Sequence, residues 1–125
     1  MAGVLAGCAA RPEAVCAGPE SLFAIERPVE MAWPWALDAL KAHAVDVTVE
    51  GEHRATGRAD PGGPPILLTL RADDQRFTLG GRDVVQRQVL VAVGCRPGDA
   101  AGPATAAAAE RVTASLLARM RADRP

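Results

Sequence analysis

MAWPWALDALKAHAVDVTVE, residues 31–50, changes its apolar period part-way along, and that change decides the fold class. Trp33, Leu37, Leu40 and Ala44 recur at i, i+4, i+7 and i+11, the spacing of one face of an α-helix. Glu30 precedes the run, and Pro34 is expected in a first turn, where a residue without an N–H is tolerated. Asp38 and Lys41 fall on the opposite side and are expected in water, Trp33 begins the stripe and is expected in the core, and Trp35 is expected at the helix edge or exposed. At Val45 the period drops to two. Val45, Val47 and Val49 alternate with Asp46, Thr48 and Glu50, which predicts a half-buried strand.

Working outward, Leu22 to Glu26 is a short apolar run that ends near Pro28 and suits a first strand. After the valine strand, Gly51 to His53 turns the chain into a strand over 54–59, and Asp60 to Pro65 is a Pro/Gly loop. The second half reads as an antiparallel meander. Ile66, Leu68 and Leu70 line one face, Asp73-Asp74 offers a turn, Phe77 and Leu79 resume the alternation, and Gly80-Gly81 turns or bulges the chain. Val84 to Cys95 is the longest strand, apolar on both parities at its centre. A second Pro/Gly loop over 96–103 leads to a helix over 104–122. Val112, Leu116, Leu117 and Met120 form its stripe opposite Arg111, Arg119 and Arg121. The order strand, helix, strands, helix predicts an α+β domain over 22–122: an antiparallel sheet of four to five strands with two helices packed on one face.

Composition bounds the function. A chain of 125 residues with 49% hydrophobic and 23% charged residues supports one domain with a modest core. Fourteen basic against fifteen acidic residues leave no electrostatic footprint for nucleic acid or anionic lipid. No apolar run approaches the roughly 18 residues of a membrane span. His43 and His53, separated by a strand, lack the paired spacing of a metal site, and His43 is expected to end the first helix, so no metal or cofactor is expected. Ser21 and Ser115 are the only serines and neither lies in a nucleophile elbow, so no catalytic residue is nominated. Asp60 and Asp73-Asp74 read as turn formers, and Gly62-Gly63 and Gly80-Gly81 as turns, since neither glycine pair leads into a helix as a phosphate loop does.

Leu5-Ala6-Gly7-Cys8 resembles a bacterial lipobox. The resemblance implies cleavage before Cys8, a lipid on its sulfur and membrane attachment through that lipid. Residues 1–7 contain no Lys or Arg and only Val4 and Leu5 as strong apolar residues, so they read as a truncated signal-like segment whose remainder is expected upstream. The Pro/Gly/Ala-rich stretch that follows makes 8–21 an expected tether. Ala9, next to the cysteine, resembles lipoproteins sorted to the outer membrane, facing the periplasm. With Cys8 lipidated, Cys16 and Cys95 remain as an even pair. They form a disulfide in an oxidising compartment if their Cα atoms come within about 7 Å; otherwise Cys95 is a small buried hydrophobe and Cys16 a free thiol.

The segment from Glu26 to Glu50, with a strand, Met31-Ala32-Trp33, Ala36-Leu37-Asp38-Ala39-Leu40 and the valine-alternating strand, resembles small envelope lipoproteins whose domain is similar to a BamC-type repeat. The likeness spans most of 22–122. It implies a non-enzymatic accessory or binding domain, and transfers a fold more safely than a role. On that reading the chain contacts another envelope component through a free sheet face or strand edge, with Arg54, Arg58, Arg71 and Arg87 as candidate contacts. The alternative is a soluble, cytoplasmic small-molecule-binding or enzymatic domain with a cavity between sheet and helices.

Overall fold

In strands β5 (Pro65–Ala72) and β8 (Val89–Cys95), every second side chain is buried, and the antiparallel register puts them on one face: Ile66 opposite Cys95, Leu68 opposite Val93, Leu70 opposite Val91. The same face continues into β2 (Pro19–Ile25), where Phe23 and Ile25 pair with Val91 and Val89, and into β4 (Arg54–Arg58), where Ala55 pairs with Leu68. With β3 (Val45–Gly51) these strands make a five-stranded antiparallel sheet of order β2-β8-β5-β4-β3. The computed structural model describes residues 14–16 and 18–123; the lipobox-like segment and Cys8 lie outside them.

Helices α1 (Val29–His43) and α2 (Pro103–Ala122) join the sheet's buried face in one hydrophobic core. Ala32, Trp35, Ala36, Ala39 and Leu40 come from α1, and Ala108, Ala109, Val112 and Leu116 from α2. Each fully buried Leu, Ile or Val contributes about 1.5–3 kcal/mol relative to exposure. The architecture is therefore α+β, with elements in the order strand, helix, strands, helix.

Several local expectations are corrected. The buried stripe of α1 is Ala32, Trp35, Ala36, Ala39 and Leu40, so Trp35 is buried while Trp33 is only half-buried, edge-on to the His53 ring with centroids 5.5 Å apart. Alanines of both helices belong to this one core, and the two helices are in contact. Small side chains let the helix axes approach closely, and the stripe follows that contact instead of the largest residues. Helix α1 begins at Val29, so Pro34 lies inside it rather than in its first turn; Pro34 and Glu30 are both exposed, where water can solvate the carbonyl that Pro34 leaves without a partner. The valine strand is a sheet edge, with Val45 and Val49 exposed and Val47 half-buried. Its register with β4 shifts twice, and Asp46 takes a positive φ of 54° at the first shift, an irregularity common on edges because it disrupts a free pairing surface.

The Asp73-Asp74 turn does not form. The chain runs on into β6 (Gln75–Leu79), paired with β7 (Arg82–Gln86). The expected long strand over 84–95 is broken at Arg87-Gln88. From Ile66 opposite Cys95 to Leu79 opposite Arg82 one register holds throughout, so β5–β6 and β7–β8 are the two legs of a single long hairpin. At the break the Asp73 N–H donates to the Gln88 carbonyl (2.9 Å), and the Asp73 carboxylate accepts from the side-chain amides of Gln75 and Gln88 (3.0 Å each). Gly80 and Gly81, with φ of 59° and 80°, close the hairpin as a two-residue turn whose positive φ values match the strand twist.

Of the expected tether over 8–21, residues 14–16 and 18–21 fold into the body, and the rest lies outside the described residues. Ala14–Val15 (β1) pairs antiparallel with Ala100–Ala101 (β9), and Pro19 to Ser21 belong to β2. The Cys16 N–H donates to the Asp99 carbonyl, and the Gly98 N–H to the Cys16 carbonyl.

Candidate functional site

The sheet face opposite the helices is graded from apolar to cationic. One row across it runs Leu22, Ala92, Thr69, Arg54, and the next runs Ala24, Leu90, Arg71. Leu22 and Ala24 are exposed, Leu90 and Ala92 half-buried, and Arg54 and Arg71 exposed. The pairing register produces this gradient: of the residues that alternate with the core positions, Leu22, Ala24, Leu90 and Ala92 on β2 and β8 are apolar, while β5 and β4 contribute Thr69, Arg71, Arg54, Thr56 and Arg58, with Leu67 the apolar exception.

At the cationic end Glu50 gathers three donors. Arg54 Nε lies 3.5 Å from its Oε1, the Thr56 hydroxyl donates to Oε2 at 3.3 Å, and the Arg96 guanidinium is 3.7 Å from Oε2. These side chains lie over Thr56, which is buried although it sits on the face away from the helices. Two arginines share one carboxylate, so the cluster keeps a net positive charge. The ion pairs are solvent-exposed and contribute little to stability, ~0–1 kcal/mol each.

Of the four candidate contacts, the sheet brings three together. Arg54, Arg58 and Arg71 lie on the open face, whereas Arg87 sits at the base of the β6–β7 ribbon beside Glu30 and Asp74. Arg58 donates from its guanidinium to the Gly63 carbonyl and so braces the loop after β4. Glu50, Thr56 and Arg96 were missed. Glu50 and Arg54 flank the Gly51–His53 turn, which is a readable signal; Arg96 follows β8, with β5 and β4 between it and β3, and reaches Glu50 across the open face.

Cys16 and Cys95 are joined as a disulfide with Cα atoms 5.8 Å apart, both residues buried. It ties the segment before β2 to the end of β8. Its neighbour Gly94 has no room for a side chain: a Cβ there would press on the backbone N of Glu20 and lie 2.8 Å from Pro19 Cα.

Among the described residues, those buried between the helices and the sheet are apolar except Thr105, which offers little to orient a polar ligand. A groove between the helices is lined by Trp35, Asp38, Ser115 and Arg119, the Arg119 guanidinium 5.6 Å from the Trp35 ring centroid. His43 Nε2 and Ser115 Oγ are 2.7 Å apart there. That bond joins the last residue of α1 to the middle of α2 and acts as an interhelical tie. Among the described residues no group of three or more His, Cys, Asp or Glu is placed to hold a metal ion, and no helix is long and apolar enough to cross a membrane.

Comparison with protein-family models, with curated proteins and with solved structures returns no match to this chain.

Proposed function

We propose that this chain is a lipid-anchored binding module of the bacterial cell envelope, held through Cys8 at the outer membrane and contacting another envelope component with its open sheet face. The observation that carries the reading is the gradient on that face, from exposed Leu22 and Ala24 to Arg54 and Arg71. Apolar area beside a cluster of net positive charge is the composition of a protein contact surface. The apolar interior speaks against the alternative of a ligand cavity between sheet and helices. The Cys16–Cys95 disulfide fits an oxidising compartment, since cytosolic thiols are kept reduced.

Metabolic labelling with a fatty-acid analogue tests the anchor. The wild-type chain incorporates label and Cys8→Ala does not; equal labelling of both, or of neither, defeats the reading. Photo-crosslinking from Leu22 and Arg71 tests the face: both positions capture the same envelope component, while a probe at exposed Asp38 on α1 captures none.

A further inference from the structure

Of the arginines on the open face, Arg54, Arg58 and Arg71 sit in strands, and Arg96 does not. The ladder between β5 and β8 ends at Cys95 opposite Ile66, and Arg96 is the next residue. From there the chain turns. The Asp99 N–H donates to the Arg96 carbonyl (3.0 Å), and Gly98, third in the turn from Arg96 to Asp99, takes the positive φ of 89° that a type II turn requires. What orients this turn on the body is Cys16. The Gly98 N–H donates to the Cys16 carbonyl (3.2 Å), the Asp99 carbonyl accepts from the Cys16 N–H (2.8 Å), and the Cys16 sulfur is bonded to that of Cys95, the residue just before the turn. Cys16 in turn is tied down by little else. The β1–β9 pairing that precedes it is two residues long, which is marginal in water, so the covalent bond keeps Cys16 behind the turn.

We infer that the Cys16–Cys95 bond is the positioning element of the contact face, which takes its binding form only once that bond is made; the inference rests on the contact-face reading proposed above. With the turn fixed, Arg96 has only its side-chain torsions to order when it lies 3.7 Å from Glu50. With the turn loose, backbone freedom is lost as well, and an exposed ion pair is too weak to offset that. Before oxidation, then, Glu50 keeps Arg54 alone of its two arginines, and the cluster loses its net positive charge. The step itself is thiol–disulfide exchange: the Cys16 and Cys95 thiols give up two protons and two electrons to a protein disulfide, which departs as a dithiol. Cytosolic thiols stay reduced, so the chain acquires its contact face only after leaving the cytosol.

Positioning is tested in solution on the full chain carrying Cys8→Ala, which leaves a single pair of cysteines. In the oxidised chain the Arg96 Nε–H shows the heteronuclear NOE of an ordered side chain. With Cys16→Ala and Cys95→Ala that NOE falls to the value of Arg111, exposed on α2, and the Gly98 amide exchanges about tenfold faster, while the Leu68 amide keeps its chemical shift and shows the sheet intact. Should the double variant not fold, Gly98→Ala takes its place: the crosslink stays, the new methyl meets nothing within 4 Å, and the strain at φ 89° acts on the turn alone and releases Arg96. The consequence for binding is tested with Cys8 retained, by photo-crosslinking from Arg71. Capture of the envelope component falls about tenfold without the disulfide and about tenfold in Arg96→Gln, and no further when the changes are combined, because both remove the same contact. An Arg96 Nε–H equally ordered with and without the bond overturns the inference, as does undiminished capture without it, or losses that add. Capture by no chain, wild type included, defeats the contact-face reading instead, and the NOE comparison then decides the positioning by itself.

Discussion

The two halves of the long hairpin share one register and differ in almost everything else. In β5 and β8 every core-facing residue from Ile66 to Leu70 and from Val89 to Cys95 is buried, while in β6 all five residues are exposed. The backbone pairing is the same in both, so pairing alone does not bury a strand. Strands β5 and β8 are flanked by β4 and β2 and backed by two helices; among the described residues β6 and β7 pair only with each other. A two-stranded ribbon is marginal in water unless something supports it, and here the support is the continuous register with the sheet at its base.

That contrast breaks most sharply at its buried end. Leu68→Ala leaves a cavity between sheet and helices and costs about 3 kcal/mol in urea unfolding. Gly94→Ala comes next, at about 2 kcal/mol, because the new methyl drives β2 away from β8 at Pro19 and Glu20. Moving out to the tip, Gly81→Ala puts an alanine at a φ of 80° and costs about 1 kcal/mol. Hydrogen exchange rises in β6 and β7 and stays unchanged in β5. The smallest effect is Phe77→Ala, within about 0.5 kcal/mol, as expected of a side chain that stays exposed on a two-stranded ribbon. A Phe77→Ala cost near that of Leu68→Ala would mean that the ribbon is packed against something in solution, and the comparison would have to be redrawn.

Periodicity made the element order legible, because periods of 3.6 and 2 are local properties of the chain. What it could not supply was covering. Val45, Val47 and Val49 alternate perfectly yet lie on an edge, since nothing within seven residues says how many neighbours a strand will have. Trp33 is the larger side chain, but the buried stripe of α1 is Ala32, Trp35, Ala36, Ala39 and Leu40, and small alanines are buried only where other elements close over them. Asp73-Asp74 is a good local turn signal, and it lost to a register set by the two-residue glycine turn beyond it. Of the open face, the arginines on β4 and β5 were legible from strand parity. Arg96 beside Glu50 was not, because the two are far apart in sequence and meet by a long side chain reaching across the sheet face, not by pairing of their strands.

The disulfide also has a mechanical consequence. Tension applied to the chain before Cys16 has two routes into the domain: through the two-residue β1–β9 pairing and edge strand β2, or through the sulfur atoms into β8. The first would peel an edge open one hydrogen bond at a time. The covalent route delivers the pull to a strand bonded on both sides, where it acts on both ladders at once. Reducing that one bond would change how the domain yields under force, from shearing at an interior strand to unzipping from its margin.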